Sequence, residues 1–193
     1  MKLIYTASQV REAEKPYIEA ADYDGYLMQR AADAVAAEAQ DLLRGKDNAK
    51  ILLLIGPGNN GADTIYAGAR LSAKGHRVDA VIFDPSEKNL ELIAREGGEG
   101  TRVLDPEHTH EQLAGYDLTI DGILGTGSSG AVRGSAGEYL STLRAAQLDG
   151  KLGTVLAVDT PSGVDNNRGT VHEPSLRADR TVTFIGRKLP AGT

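Results

Sequence analysis

Cysteine is absent from this chain, which removes disulfides, cysteine-ligated zinc and thiol nucleophiles together. A cysteine-free sequence fits a reducing interior, so the expected setting is cytoplasmic. An excess of positive charge is missing too. The formal net charge is −6 and the pI about 5.2, which speaks against a partner with a phosphate backbone, so no nucleic acid is expected. No apolar run approaches the length that crosses a bilayer, and Leu3-Ile4-Tyr5 is too short for the core of a signal peptide, so no membrane association is expected. Tryptophan does not occur and phenylalanine occurs only twice; internal repeats and low-complexity tracts are lacking as well. What remains is 193 residues, 40% apolar and 25% charged, enough for one domain over 1–193 with a substantial core.

The rest of the chain is organised around Lys50 to Gly75. The apolar run Ile51 to Ile55 is short and apolar on both faces, which suits a central strand of a parallel sheet. The turn Gly56-Pro57-Gly58-Asn59-Asn60-Gly61 follows, then a helical pattern through Ile65, Ala69 and Leu71, closed by Gly75 past the helix end. Strand, glycine turn and helix together present unpaired N–H groups and a positive helix end to a phosphate-bearing ligand. Gly56, Gly58 and Gly61 satisfy G-x-G-x-x-G, with Asp84 about twenty residues on, as a dinucleotide fingerprint requires. The Walker A pattern fails, because Ala62-Asp63 stand where Lys and Ser or Thr are needed. A glycine turn after a strand often does nothing but turn. Two asparagines and an aspartate gathered in this one weigh against that plain reading.

Helices precede this unit. Thr6 and Gln9 have capping-box spacing, although Pro16 limits how the segment runs. After a turn at Asp22 to Gly25, Leu27, Ala31, Ala34, Val35 and Leu42 mark one face of a long Ala-rich helix ending near Gly45. Beyond Lys50, strands and helices alternate. Strands are expected at Val78–Phe83, Thr101–Leu104, Leu118–Ile120, Thr154–Val158 and Arg180–Ile185. Helices are expected at Glu87–Arg95, His108–Ala114 and Ala136–Gln147. This βαβα order predicts an α/β fold, a doubly wound parallel sheet with helices on both faces.

Three of the strands end in polar, glycine-rich segments: Asn59 to Asp63, Asp121 to Gly127, and Asp159-Thr160-Pro161-Ser162-Gly163. In an open α/β sheet the ligand crevice lies outside the carboxyl ends of the strands, so the three would build one site. Asp121 and Asp159 at one edge would repel each other unless one stays protonated or a cation lies between them. Neighbouring Asn and Ser oxygens complete an all-oxygen shell, suited to a hard ion rather than zinc. Alternatively each aspartate only caps its own loop. His108 and His110 read as solvated surface, His76 and His172 as loop residues, and Arg133 either meets a phosphate or pairs with a surface carboxylate. No G-x-S-x-G nucleophile elbow is present.

GPGNNGAD, DGILGTGSSGAVRG and AVDTPSGVD, in this order and spacing, resemble the three signature segments of the NAD(P)HX epimerases, the YjeF N-terminal domain family. TASQVREAE and LMQRAADAVA resemble its helical N-terminus, so the similarity covers nearly the whole chain. The resemblance implies a Rossmann-like, three-layer α/β/α fold with N-terminal helices. It implies an isomerase of metabolite repair that interconverts the R and S forms of hydrated NADH and NADPH. It implies a potassium ion held by Asn60, Asp121 and Ser162. The dinucleotide would contact Asn59, Asn60, Gly61, Ala62 and Asp63, the loop Gly125, Thr126, Gly127, Ser128, Ser129, Gly130 and Ala131, and Asp159. Asp159 is the expected catalytic acid/base, because it ends a strand at the crevice. The family also suggests a homodimer through the Ala-rich helix. Many members continue into an ATP- or ADP-dependent dehydratase domain, so a chain stopping at Thr193 is expected to derive from, or to work with, such a bifunctional protein. The family's usual Asn-Asn-Gly-Gly-Asp-Gly is departed from at Ala62 and Thr64; Ala62 is harmless if it opens the helix. Two other readings are a non-catalytic nucleotide-binding or scaffold module of the same fold and an NAD(P)-dependent oxidoreductase.

Overall fold

The computed structural model describes residues 4–20, 25–98, 100–106, 110–184 and 187–188. His108 and residues 22–24 of the expected turn lie outside them, as does the end of the last expected strand at 185.

Six strands form the central sheet: β1 (Lys50–Ile55), β2 (Arg77–Ile82), β3 (Thr101–Val103), β4 (Leu118–Gly122), β5 (Thr154–Val158) and β6 (Arg180–Val182). Their spatial order is 3-2-1-4-5-6 and every pairing is parallel. This is the doubly wound order, in which chain direction across the sheet reverses between β1 and β4 and opens a crevice there. The helices are α1 (Ala7–Ile18), α2 (Tyr26–Leu43), α3 (Asn59–Ala73), α4 (Glu87–Glu96) and α5 (Gly134–Leu148). Of the helix expected at 108–114, residues 108–109 lie outside the described residues and 110–114 fall in a 3-10 turn over His110–Gly115.

The alternation along β1 explains the layers. Ile51, Leu53 and Ile55 face one core with α2, α3 and α4, whereas Leu52 and Leu54 face the other with α5 and the 3-10 turn. Each such fully buried aliphatic side chain contributes about 1.5–3 kcal/mol. Because both faces of β1 are covered, the strand has no polar alternation to show.

Helix ends follow their sequence signals. At α1 the Thr6 hydroxyl accepts from Gln9 N–H (3.3 Å) while the Thr6 N–H donates to Gln9 Oε1 (2.9 Å), closing the capping box. Pro16 is accommodated inside the last turns of α1, where it forfeits one backbone bond without ending the helix. At the end of α3 the Gly75 N–H reaches Ser72 O and the His76 N–H reaches Leu71 O, with Gly75 at φ +90°, a Schellman closure.

One helix face differs from expectation. α2 buries Ala31, Ala32, Val35, Ala36, Ala39 and Leu43, while Ala34 is exposed. Alanine fits either side of a helix, so an Ala-rich stretch leaves its buried stripe poorly marked. α2 lies against α3, where Arg70 donates to Asp33 and to Gln29 Oε1. His76 differs as well: read as a loop residue, it is buried. Its Nδ1 accepts from Ala49 N–H (3.2 Å) and its Nε2 faces the Gln40 amide. Burial lowers its pKa, so the neutral ring is favoured.

Candidate functional site

The glycine turn at the end of β1 is shorter than the sequence suggests, because Asn59, Asn60 and Gly61 already form the first turn of α3. Gly58 is the N-cap and supplies no side-chain cap, so the first N–H groups of the helix are left to other acceptors. Backbone proximity sets the glycine positions. A Cβ on Gly56 would lie 1.9 Å from Ile123 O, so the turn after β1 and the turn after β4 touch through their main chains. A Cβ on Gly122 would lie 1.8 Å from Thr64 Oγ1, and that hydroxyl donates to Asn60 O (2.8 Å). The larger Thr64 is therefore housed by the missing side chain at Gly122. From α4, the buried Asn89 amide donates to Gly56 O (2.8 Å) and holds the turn from behind. Ala62 lies inside α3, fully buried and not among the positive-φ residues, so alanine there carries no strain.

Asn60 spans the crevice. Its Nδ2 donates to Leu124 O (2.9 Å) after β4 and to Val158 O (2.7 Å) at the end of β5. With the nitrogen fixed in this way, Oδ1 is left as the amide's acceptor, turned toward Gly125. Asp121, fully buried at the end of β4, is bound by Ser162 from the loop after β5. Ser162 Oγ donates to Oδ1 (2.6 Å), Ser162 N–H donates to Oδ2 (2.8 Å), and Leu124 N–H donates to Ser162 Oγ (3.0 Å). Burial raises the Asp121 pKa against the pull of the Ser162 and Ile123 donors, and Asp159 is not among the causes. The like-charge repulsion expected from sequence is thus not the source of the shift; desolvation is.

These groups fit a hard, singly charged cation. Asn60 Oδ1, the Asp121 carboxylate and Ser162 Oγ form an all-oxygen set whose one buried negative charge is held by neutral donors rather than by a cationic side chain among the described residues. Among the described residues no group of three or more His, Asp or Glu is placed to hold a metal.

Asp159, just past β5, has φ +66°, a conformation costing a non-glycine residue roughly 1–2 kcal/mol. Its N–H donates to Val182 O (2.6 Å). Its Oδ2 accepts from Thr126 N–H (3.0 Å), tying it to the loop after β4. That loop is itself closed by the Ser128 N–H and hydroxyl donating to Gly125 O (3.0 and 2.8 Å).

A cavity of about 520 Å³ opens over these strand ends, within the range of small-molecule sites. Of the residues singled out from sequence, Asn59, Asn60, Asp63, Gly125, Thr126, Gly127, Ser128 and Asp159 line it. Gly61 and Ala62 are buried behind its wall, Asp121 and Ser162 lie beneath it, and Ser129, Gly130 and Ala131 fall outside its lining. Asp84, the acidic residue of the fingerprint, is exposed and does not line it; neither does Arg133, exposed at the N-cap of α5. Sequence reasoning missed the outer wall: Glu14 and Ile18 of α1, Met28 of α2, and Phe184. Leu27 and Ala31, core positions of α2 by their spacing, also face the cavity. The capping box located α1, but no local signal says which element α1 covers.

Asp63 is the other acid at the crevice whose pKa is raised. It is 7% exposed, and its pKa is raised to about 7, first by burial and then by the charge of Glu14, with Lys88 opposing.

The family model described as "YjeF-related protein N-terminus" matches residues 25–189. The NAD(P)H-hydrate epimerase of Microbacterium testaceum is 38% identical over 183 residues, covering 93% of this chain and 68% of that protein. The bifunctional NAD(P)H-hydrate repair enzyme Nnr of Mycobacterium tuberculosis is 32% identical over 192 residues, covering 97% of this chain and 38% of that protein. The chain therefore spans well under half the length of the bifunctional relatives it matches. The crystal structure of the yeast protein Ynu0 shares the fold with a TM-score of 0.82 at 20% identity, over 98% of this chain and 82% of that one.

Proposed function

The chain belongs to the family of YjeF-related protein N-termini, and on that premise we propose that it interconverts the R and S epimers of hydrated NADH and NADPH. The observation that carries this reading is the cavity into which Asn60, the Gly125–Ser128 loop and Asp159 project from three separate strand ends. The names of the relatives, a hydrate epimerase and a hydrate repair enzyme, support it.

Chemistry sets what the site must do. Water adds to an enamine such as the dihydronicotinamide ring with its oxygen on the carbon bonded to nitrogen. Inverting that centre requires the hydroxyl to leave and return from the other face, or the ring to open and close. Both routes need a positioned acid/base, and Asp159, held by Thr126 N–H at the cavity wall, takes that role. The uncapped first turn of α3 and the 125–128 loop would receive the phosphates, and the apolar wall of Leu27, Met28 and Phe184 would cover the ring. Potassium would be held by Asn60, Asp121 and Ser162, where it would neutralise the buried carboxylate. If so, potassium should raise the thermal midpoint of the protein relative to tetramethylammonium at equal ionic strength.

A homodimer is the proposed assembly, and cooperation with a dehydratase follows from the bifunctional relatives. α2 packs on α3, so the exposed Tyr17, Ile18 and Tyr26 are better interface candidates than its alanine face. No described helix is long and apolar enough to cross a membrane. An oxidoreductase reading is disfavoured because Asp84, which would hold a ribose, stands away from the cavity. Mixing the protein with each purified epimer and following the ratio by chromatography tests the proposal. Relaxation from either side to one common ratio is expected, and epimer ratios that never move above the uncatalysed rate would refute it.

A further inference from the structure

Asp63 and Glu14 have no part in the chemistry assigned to Asp159, yet both face the same space. Asp63 projects from the second turn of α3 into the cavity wall at 7% exposure, and no hydrogen bond to its carboxylate is found among the described residues. Glu14 reaches the cavity from α1, an element remote in sequence from every glycine segment. With Asp159, three carboxylates line the cavity, and no Lys or Arg stands among its described lining residues. The side of the cavity lined by these carboxylates suits a reacting group that becomes positive, apart from the first turn of α3 and the 125–128 loop that would take the phosphates.

We propose that Asp63, backed by Glu14, is the acid that protonates the departing ring hydroxyl, and that the three carboxylates stabilise the cation this leaves. The proposal rests on the epimerase reading. In the step, the Asp63 proton passes to the hydroxyl oxygen and the C–O bond breaks with its electron pair leaving on water. The ring-nitrogen lone pair then forms C=N, giving a cyclic iminium ion. Water adds to the opposite face, the C=N pair returns to nitrogen, and the proton released goes to Asp159 or back to Asp63. Atoms and charge balance, and no oxidant is consumed. A carboxyl poised near neutrality can both give and take back a proton at working pH. Burial, then Glu14, hold Asp63 at about 7, while Lys88 of α4 pulls the other way.

The test uses Asp63→Asn and Glu14→Gln in the full chain, with the hydrated cofactor epimers as substrate. Asp63→Asn is expected to lower kcat on the order of a hundredfold with KM changed only a few-fold, and to abolish the loss of rate expected of wild type above pH about 7. Glu14→Gln, at a half-exposed position that should not disturb folding, is expected to move that loss to lower pH. The side-chain carbon of Asp63, followed by NMR without substrate, should titrate near 7 in wild type and lower in Glu14→Gln. Wild-type kcat and an unchanged pH profile in Asp63→Asn would overturn the proposal, as would an Asp63 midpoint in the ordinary carboxylate range. Either result with an active wild type leaves the epimerase reading standing; a wild type unable to exchange the epimers removes both.

Discussion

Strand β4 carries an aspartate at each end, and the two have opposite fates. Asp117, just before the strand, keeps some solvent exposure; burial pushes its pKa up, but the Lys46 ammonium and the Lys50 N–H outweigh it and hold the carboxyl below its usual range. Asp121, at the other end, is fully buried, held by neutral donors, and raised. The same contrast runs through the molecule. Away from the crevice, Asp79 takes a bidentate contact from Arg102 (2.8 and 2.9 Å) and the Tyr116 hydroxyl (2.7 Å). At the crevice, Asp63 is buried beside another acid and Asp159 is strained. Asp117 and Asp79 are paired with cations and secure the fold, whereas burial raises Asp63 and Asp121 at the crevice. Stability given up at a sheet edge where loops converge is a physical mark of function.

The most demanding test of this division is Asp159→Asn. If Asp159 is the acid/base proposed above, its loss should lower epimer exchange by roughly 10²–10⁴-fold while circular dichroism and the thermal midpoint stay near wild type. Full activity in this variant would remove Asp159 from the chemistry. Next in size is the stability that the crevice gives up through Asp63. Its folded pKa of about 7 exceeds the ordinary 3.8, so between those values the folded state binds more protons than the unfolded chain. Its contribution is therefore fully present below pH about 4 and is lost as pH rises to about 7. Asp63→Asn should be more stable than wild type at pH 8, by up to about 4 kcal/mol, with the advantage vanishing near pH 4. Urea midpoints at the two pH values measure it, and equal midpoints at pH 8 would place Asp63 among the ordinary acids.

Asp117→Asn probes the other end of the strand. It should cost roughly 1–2 kcal/mol at pH 7, because the charged acceptor of the Lys50 N–H is lost, with exchange activity unchanged. That contribution is present above pH about 4 and is lost as pH falls through the lowered folded value, the reverse of Asp63.

How much of this is legible in the sequence varies with the range of the interaction. The βαβα alternation, the capping box at Thr6 and the three glycine-rich strand ends depend on neighbours a few residues apart, and the structure has each of them. The convergence of those strand ends follows from topology, since parallel strands place all their carboxyl ends on one edge. The outer wall is not legible. Glu14 meets Asp63 only because α1 packs over the crevice, and nothing within Thr6 to Ile18 specifies that docking. The buried stripe of α2 goes astray at Ala34 because alanine signals neither face. His76 reads as a loop residue because the partners that bury it, Gln40 and Ala49, come from before the sheet begins.

The smallest expected effect concerns the position where this chain departs from the usual glycine of its motif. Ala62 sits in the first turns of α3, fully buried and at ordinary helical angles, immediately after Gly61, whose missing side chain makes room for Gly56 O. Glycine at 62 would restore the common pattern yet gain nothing sterically, since no positive φ is required there. It would widen the conformational freedom of the unfolded chain and remove a buried methyl group. Ala62→Gly should therefore lower stability by roughly 1 kcal/mol, read as a drop of a few degrees in the thermal midpoint. Were the midpoint to rise, α3 would have to begin later than Asn59. The amides assigned to the ligand would then belong to a flexible turn, and the contrast between the two ends of the sheet would lose its best-defined element.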